Sequence, residues 1–202
     1  MNISRRTYAI IAAPLLGTTL LLAGCSSSSS HDSKTTPTAT DGVTTAAGQS
    51  CPTAVAPVDT KPQYTFHGST GSAEVAGSTD SAGPLVKIST PFRVTQTEVH
   101  TLTAGTGPIV ADHANVTVCY AGYSGTSGKV FDASPYQNGQ GSPFGLDQVV
   151  PGFTKAIAGQ HVGSTVAVAI TSADGYGDAG QPGAGIAPGD TLVFEIKILA
   201  AQ

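Results

Sequence analysis

A chain of 202 residues has room for one domain with extensions. Its formal net charge is −4, and no basic cluster follows the first few residues, which argues against nucleic acid as a partner. Only 11% of residues are charged and 25 are glycine, a balance that favours a loop-rich β protein over a helical one.

The first element reads as an export signal, residues 1–24. Arg5 and Arg6 supply a positive start, and the apolar run YAIIAAPLLGTTLLLAG follows. That run contains Pro14 and Gly17 and is short for a membrane span. It ends at Leu22-Ala23-Gly24-Cys25, directly before a serine tract, and this resembles the bacterial lipobox. The resemblance implies cleavage before Cys25 and a diacylglyceryl group on its thiol. The protein is then expected to be exported, lipid-anchored to the bacterial cell membrane and facing outward. Such a compartment is oxidising, which bears on the two remaining cysteines, Cys51 and Cys119.

Residues 25–61 are Ser, Thr, Ala and Pro with hardly an aromatic side chain. Such a segment buries too little apolar surface to offset its ordering entropy, so a disordered tether is predicted. Residues 62–90 alternate short β-like pieces with Gly-Ser-Thr turns. They read either as one or two added strands or as a loosely ordered lead-in.

From residue 91 to 202 the pattern sharpens into a domain. VTVCY sets Val116, Val118 and Tyr120 on one face and Thr117 and Cys119 on the other. STVAVAIT is a strand rich in β-branched residues, and TLVFEIKIL alternates, with Leu192, Phe194, Ile196 and Ile198 facing inward. The one good helix is PGFTKAIAG: Pro151 suits its first position, Phe153, Ala156 and Ile157 share a face, and Gly159 suits its end. The predicted class is α+β, with one short helix covering a curved antiparallel sheet.

The residues offer no nucleophile elbow, phosphate loop or His–Cys pairing. The five histidines, at 31, 67, 100, 113 and 161, lack metal-ligand spacing, and the aspartates near Tyr176 lack that of a calcium loop. Neither a metal nor a cofactor is expected. In ADGYGDAG, Tyr176 stands between Gly175 and Gly177; taken alone, it could merely cap a core edge in a wet turn.

Taken together, VCYAGY, GKVFDAS, SPFGLDQVVPGFTKAIAGQHVGSTVAVAI, DGYGDAG and AGIAPGDTLVFEIKIL follow one another in a known order. From about Val94 to Leu199 the chain resembles the FKBP-type peptidyl-prolyl cis–trans isomerases. The resemblance implies an antiparallel half-barrel wrapped on a short helix, with an apolar pocket for a prolyl ring between them. Carried over, the pocket walls are Tyr120, Phe131, Phe144, Val149, Val150, Ile186 and Phe194, with Phe153 as the floor. Asp132 is the polar edge, and the Tyr176 hydroxyl reaches over the pocket to a peptide carbonyl. Three departures stand out. Phe153 replaces the usual tryptophan, Leu146 stands where a second aromatic is usual, and the PGAGIAPG loop is one residue longer, with Gly185 in place of an aliphatic residue.

The resemblance implies an isomerase acting on proline-containing polypeptide clients, with a macrolide as a possible ligand. The rival reading is a non-catalytic, lipid-anchored binding module or chaperone that holds Pro-containing segments. If Tyr120 faces the pocket, Cys119 faces away from it, within reach of the N-terminal extension. Cys51 and Cys119 then either form a disulfide or remain two unpaired thiols.

Overall fold

The computed structural model describes Thr44–Thr45 and residues 50–202. The export signal, Cys25 and most of the expected tether lie outside the described residues. A two-residue strand, β1 (Thr44–Thr45), precedes the small antiparallel sheet β2 (Tyr64–His67), β3 (Thr70–Ala76) and β4 (Leu85–Arg93). A larger sheet contains β5 (Glu98–Thr103), β6 (Asn115–Ser124), β7 (Val130–Ala133), β8 (Ser142–Gly145), β9 (Thr165–Ile170) and β10 (Leu192–Ala201). Its order is β5-β9-β10-β6-β7, with β8 beside β6 and β1 beside the end of β10. Every strand pairing in both sheets is antiparallel, and the larger sheet does not close on itself. The helix is α1 (Pro151–Ile157), with Pro151 at its start as the sequence predicts. This is the α+β half-barrel expected.

Register explains the inner core. Leu192, Phe194 and Ile196 of β10 lie opposite Ile170, Val168 and Val166 of β9, and Ile196 and Ile198 lie opposite Tyr120 and Val118 of β6. Because side chains alternate along a strand, all of these share one face. Phe153, Ala156 and Ile157 of α1 pack against them, at most 4% exposed. Burying each large side chain contributes about 1.5–3 kcal/mol. The helix can approach this closely because residue 152 is glycine: a Cβ there would lie 2.3 Å from Cγ2 of Ile170.

The other face departs from the sequence pattern. Alternation alone would leave the intervening residues of β10 in solvent. Instead Val193, Glu195, Lys197 and Leu199 are all buried. For Val193, Glu195 and Lys197 the cover comes from the segment 62–93, which is a built layer and not a loose lead-in, while Leu199 packs with Cys51 and Tyr136. Phe66, Ala73, Val75 and Phe92 from the small sheet pack on Ala167, Ala169 and Val193. Strand β4 runs through the expected boundary at residue 91 without a break.

Polar ties complete this layer. The Ser78 N–H and hydroxyl both donate to Oε1 of Glu195, each at 2.7 Å, and Lys197 Nζ donates to Asp80 at 2.7 Å. Burial pushes the Glu195 carboxyl up to about 7, although the Ser78 hydrogen bonds and nearby Lys197 pull the other way. A disulfide joins Cys51 to Cys119 across 68 residues, with a Cα–Cα distance of 5.5 Å. It packs with Leu199 and Tyr136.

Candidate active site

A cavity of about 300 Å³ opens between α1 and the inner face of the larger sheet. Phe153 forms its floor and is 4% exposed. Tyr120 projects from β6, Phe194 from β10, Phe131 and Asp132 from β7, and Phe144 from β8. Val149 and Val150 line the entry to α1, and Tyr176 comes from the loop after β9. Five aromatic rings meet edge to face. Phe153 lies 5.3 Å from Phe194, 5.7 Å from Phe144 and 5.9 Å from Tyr120 between ring centroids, and Phe131 lies 5.5 Å from Phe194. Each such pair contributes about 0.5–1.5 kcal/mol beyond its buried area, so the walls hold one another in place.

Glycine makes room here as well. A Cβ at Gly122 would sit 2.6 Å from the Phe194 ring and 2.8 Å from that of Phe131. Any larger residue would push these two aromatics apart.

The polar groups are few and directed. The Tyr120 hydroxyl donates to Oδ2 of Asp132 at 2.7 Å, and Oδ1 accepts the Ala133 N–H at 2.9 Å. Burial, together with the Asp132 carboxylate, pushes the Tyr120 phenol well above its usual value, so it stays a donor. The Val150 carbonyl accepts the Phe153 N–H, whereas the Val150 N–H has no acceptor among the described residues. Tyr176 is 38% exposed, and its hydroxyl is likewise without a partner among the described residues. Two residues that line this largely aromatic cavity, Val150 and Tyr176, therefore each carry a donor without a partner among the described residues.

Nine of the ten pocket residues taken from the sequence line this cavity. Ile186 does not. It is 1% exposed and belongs to the main core, because a reciprocal bridge between Gln181 and Ile186 closes a tight turn that tucks it under the loop. Leu146 is also a core residue, 2% exposed. Gln148, missed in the sequence, lines the cavity from the short 3-10 turn Leu146–Gln148. Its only signal was a polar side chain next to Val149 and Val150, which no apolar period would single out.

The histidines take unrelated places. His113 pairs with exposed Asp147, His161 bonds the Gly107 carbonyl, and His100 stacks on Tyr64. Among the described residues, no cluster of three His, Cys, Asp or Glu side chains is placed to hold a metal.

Residues 107–199 match the family model described as FKBP-type peptidyl-prolyl cis-trans isomerase. The FK506-binding protein of Streptomyces anulatus is 36% identical over 98 residues, covering 48% of this chain and 78% of that protein. The peptidyl-prolyl cis-trans isomerase FKBP12 of Vicia faba is 33% identical over 109 residues, covering 52% and 97%. The isomerase FkpA of Escherichia coli is 38% identical over 96 residues, but only 34% of its length is matched. Its crystal structure overlays on 52% of this chain and 48% of its own, with 35% identity and a TM-score of 0.48. The chain belongs to the FKBP-type peptidyl-prolyl cis–trans isomerases, an enzyme family.

Proposed function

We propose that this chain catalyses cis–trans exchange of Xaa–Pro bonds in exported polypeptides while anchored to the membrane through a lipid on Cys25. The observation that carries the reading is the aromatic cavity lined by two residues whose donors have no partner among the described residues. Rotation about a peptide bond is slow because resonance gives the C–N bond partial double-bond character, with a barrier of about 18–20 kcal/mol. At Xaa–Pro both isomers are populated, and exchange without a catalyst takes tens to hundreds of seconds. Twisting the bond breaks the resonance and moves charge off the carbonyl oxygen. A dry pocket then favours the twisted, less polar amide over the planar one. Each ~1.4 kcal/mol of that preference is about tenfold in rate.

In this reading Phe131, Phe144 and Phe153 hold the prolyl ring. The Val150 N–H and Tyr176 hydroxyl orient neighbouring carbonyls, and Asp132, fixed by Tyr120, polarises the pocket edge. No proton changes hands and no metal is needed. The same apolar walls suit a macrolide. Export and anchoring rest on Leu22-Ala23-Gly24-Cys25 and draw support from the buried disulfide, a bond typical of oxidising compartments. Replacing Cys25 with Ala should release the protein from membranes or leave its precursor uncut.

Activity is tested with the full chain in detergent and a peptide bearing an apolar residue before proline. Exchange faster than the uncatalysed rate is expected. Binding with no acceleration would leave only a holding module.

A further inference from the structure

The loop that carries Tyr176 is anchored in the core by Ile186 and at its ends by the Arg93 bond to the Gly189 carbonyl and the contact of Thr97 with Thr171, but little holds the stretch around Tyr176 itself. From Thr171 to Gly189 it passes through three short 3-10 turns, Ser172–Asp174, Gly177–Ala179 and Pro182–Ala184, and it contains six glycines. Among the described residues from Ser172 to Ala187, one side chain alone bonds outside the loop. It is Asp174.

Its carboxylate is gripped from two other elements. Lys155 Nζ of α1 donates to Oδ1 at 2.8 Å and to Oδ2 at 2.7 Å. Thr97 Oγ1, from the connection between β4 and β5, donates to Oδ2 at 2.6 Å. The Asp174 N–H turns back to the Thr171 carbonyl at 3.1 Å, and the Thr171 N–H donates to Thr97 Oγ1 at 3.2 Å. The Lys155 hydrogen bond, followed by that of Thr97, holds the Asp174 carboxyl below its usual range. Charge-assisted bonds of this kind are shorter and about twice as strong as neutral ones.

Lys155 lies two residues beyond Phe153 on the same helix, and Asp174 lies two residues before Tyr176. The tie therefore joins the element bearing the pocket floor and the Val150 N–H to the loop bearing the Tyr176 hydroxyl. An ion pair whose lysine side chain is 56% exposed contributes little to global stability, so stability alone does not account for so complete a grip. We infer that Asp174 is a positioning residue for the reaction: through Lys155 and Thr97 it fixes where the Tyr176 hydroxyl stands relative to the Val150 N–H. This inference rests on the isomerase reading of the pocket.

The test is a double-mutant cycle on the full chain in detergent, with Asp174→Asn, Tyr176→Phe and the two combined. Asp174→Asn should lower kcat by about three- to tenfold, as expected for one misplaced hydrogen bond, with KM within about twofold. In the Tyr176→Phe background the same change should cost nothing further, and Lys155→Met should reproduce the effect of Asp174→Asn. Amide hydrogen exchange at Gly175 and Gly180, which bond within the loop, should quicken by about tenfold in Asp174→Asn. Losses that multiply in the double variant, or a kcat unchanged in the single one, would overturn the inference. If the wild-type chain shows no catalysis, the isomerase reading fails by itself, and amide exchange decides whether Asp174 holds the loop: unchanged exchange overturns that too.

Discussion

On its inner face the larger sheet meets one seven-residue helix; on its outer face it meets a second sheet, and there it buries one of its own carboxylates, Glu195, and a disulfide from its own Cys119 to Cys51. The same strands serve both. Along β10, Phe194 looks into the cavity while Glu195, the next residue, is sealed beneath Ser78. A single short helix cannot cover a curved sheet, so aromatic side chains are left facing a gap of about 300 Å³. Three strands can cover the reverse face, and there even the polar residues are buried. The difference separates two jobs: the outer layer stabilises the sheet, and the inner face is left free to bind.

The largest way to break this separation is to open the disulfide. Cross-linking residues 68 apart contributes about 4 kcal/mol in the loop-entropy account, and losses of about 2–5 kcal/mol are typical. Cys51→Ser with Cys119→Ser should lower denaturant stability by that amount. Activity per folded molecule should stay within about twofold, since neither sulfur lines the cavity.

A somewhat smaller effect is expected from pH. Burial raises the Glu195 carboxyl to about 7 in the folded chain, above its ordinary value of 4.5. The protonated group is the one the fold prefers. Its contribution is complete below about pH 4.5 and is lost as pH rises through about 7, on the order of 3 kcal/mol in all. Glu195→Gln should flatten the stability profile between pH 5 and 8, measured by urea titration. A variant curve parallel to that of the wild type would remove this carboxyl from the account.

The smallest change concerns the floor. Phe153→Trp should leave stability within about 1 kcal/mol, since the added ring can extend into the open cavity. More contacts with the prolyl ring should raise kcat/KM by about two- to fivefold, or tighten macrolide binding to a similar degree.

These contrasts also explain what the sequence made legible. The inner face was readable because period-two and helical patterns point the same way: Leu192, Phe194 and Ile196 alternate, and Phe153, Ala156 and Ile157 share a helical stripe. The outer face was not. Glu195 and Lys197 have the composition of solvent-facing residues, and they are met by Ser78 and Asp80 in the Gly-, Ser- and Thr-rich connection between β3 and β4, contacts made across more than a hundred residues of chain. Pocket aromatics stood out by type and order. Gln148 and Ile186 were placed by loop geometry, a 3-10 turn and a tight bridge, which leaves no period in the chain. Neither could have been read from pattern alone.

The most direct test compares the two faces in one measurement, the catalysed exchange rate of a peptide with an apolar residue before proline. Wild-type full chain in detergent should exceed the uncatalysed rate. Phe131→Ala, which removes one wall of the cavity, should cut kcat/KM by about tenfold, whereas Glu195→Gln on the outer face should leave it within about twofold. Equal losses from both variants, or a wild-type rate no faster than that of the free peptide, would contradict the assignment of catalysis to the inner face.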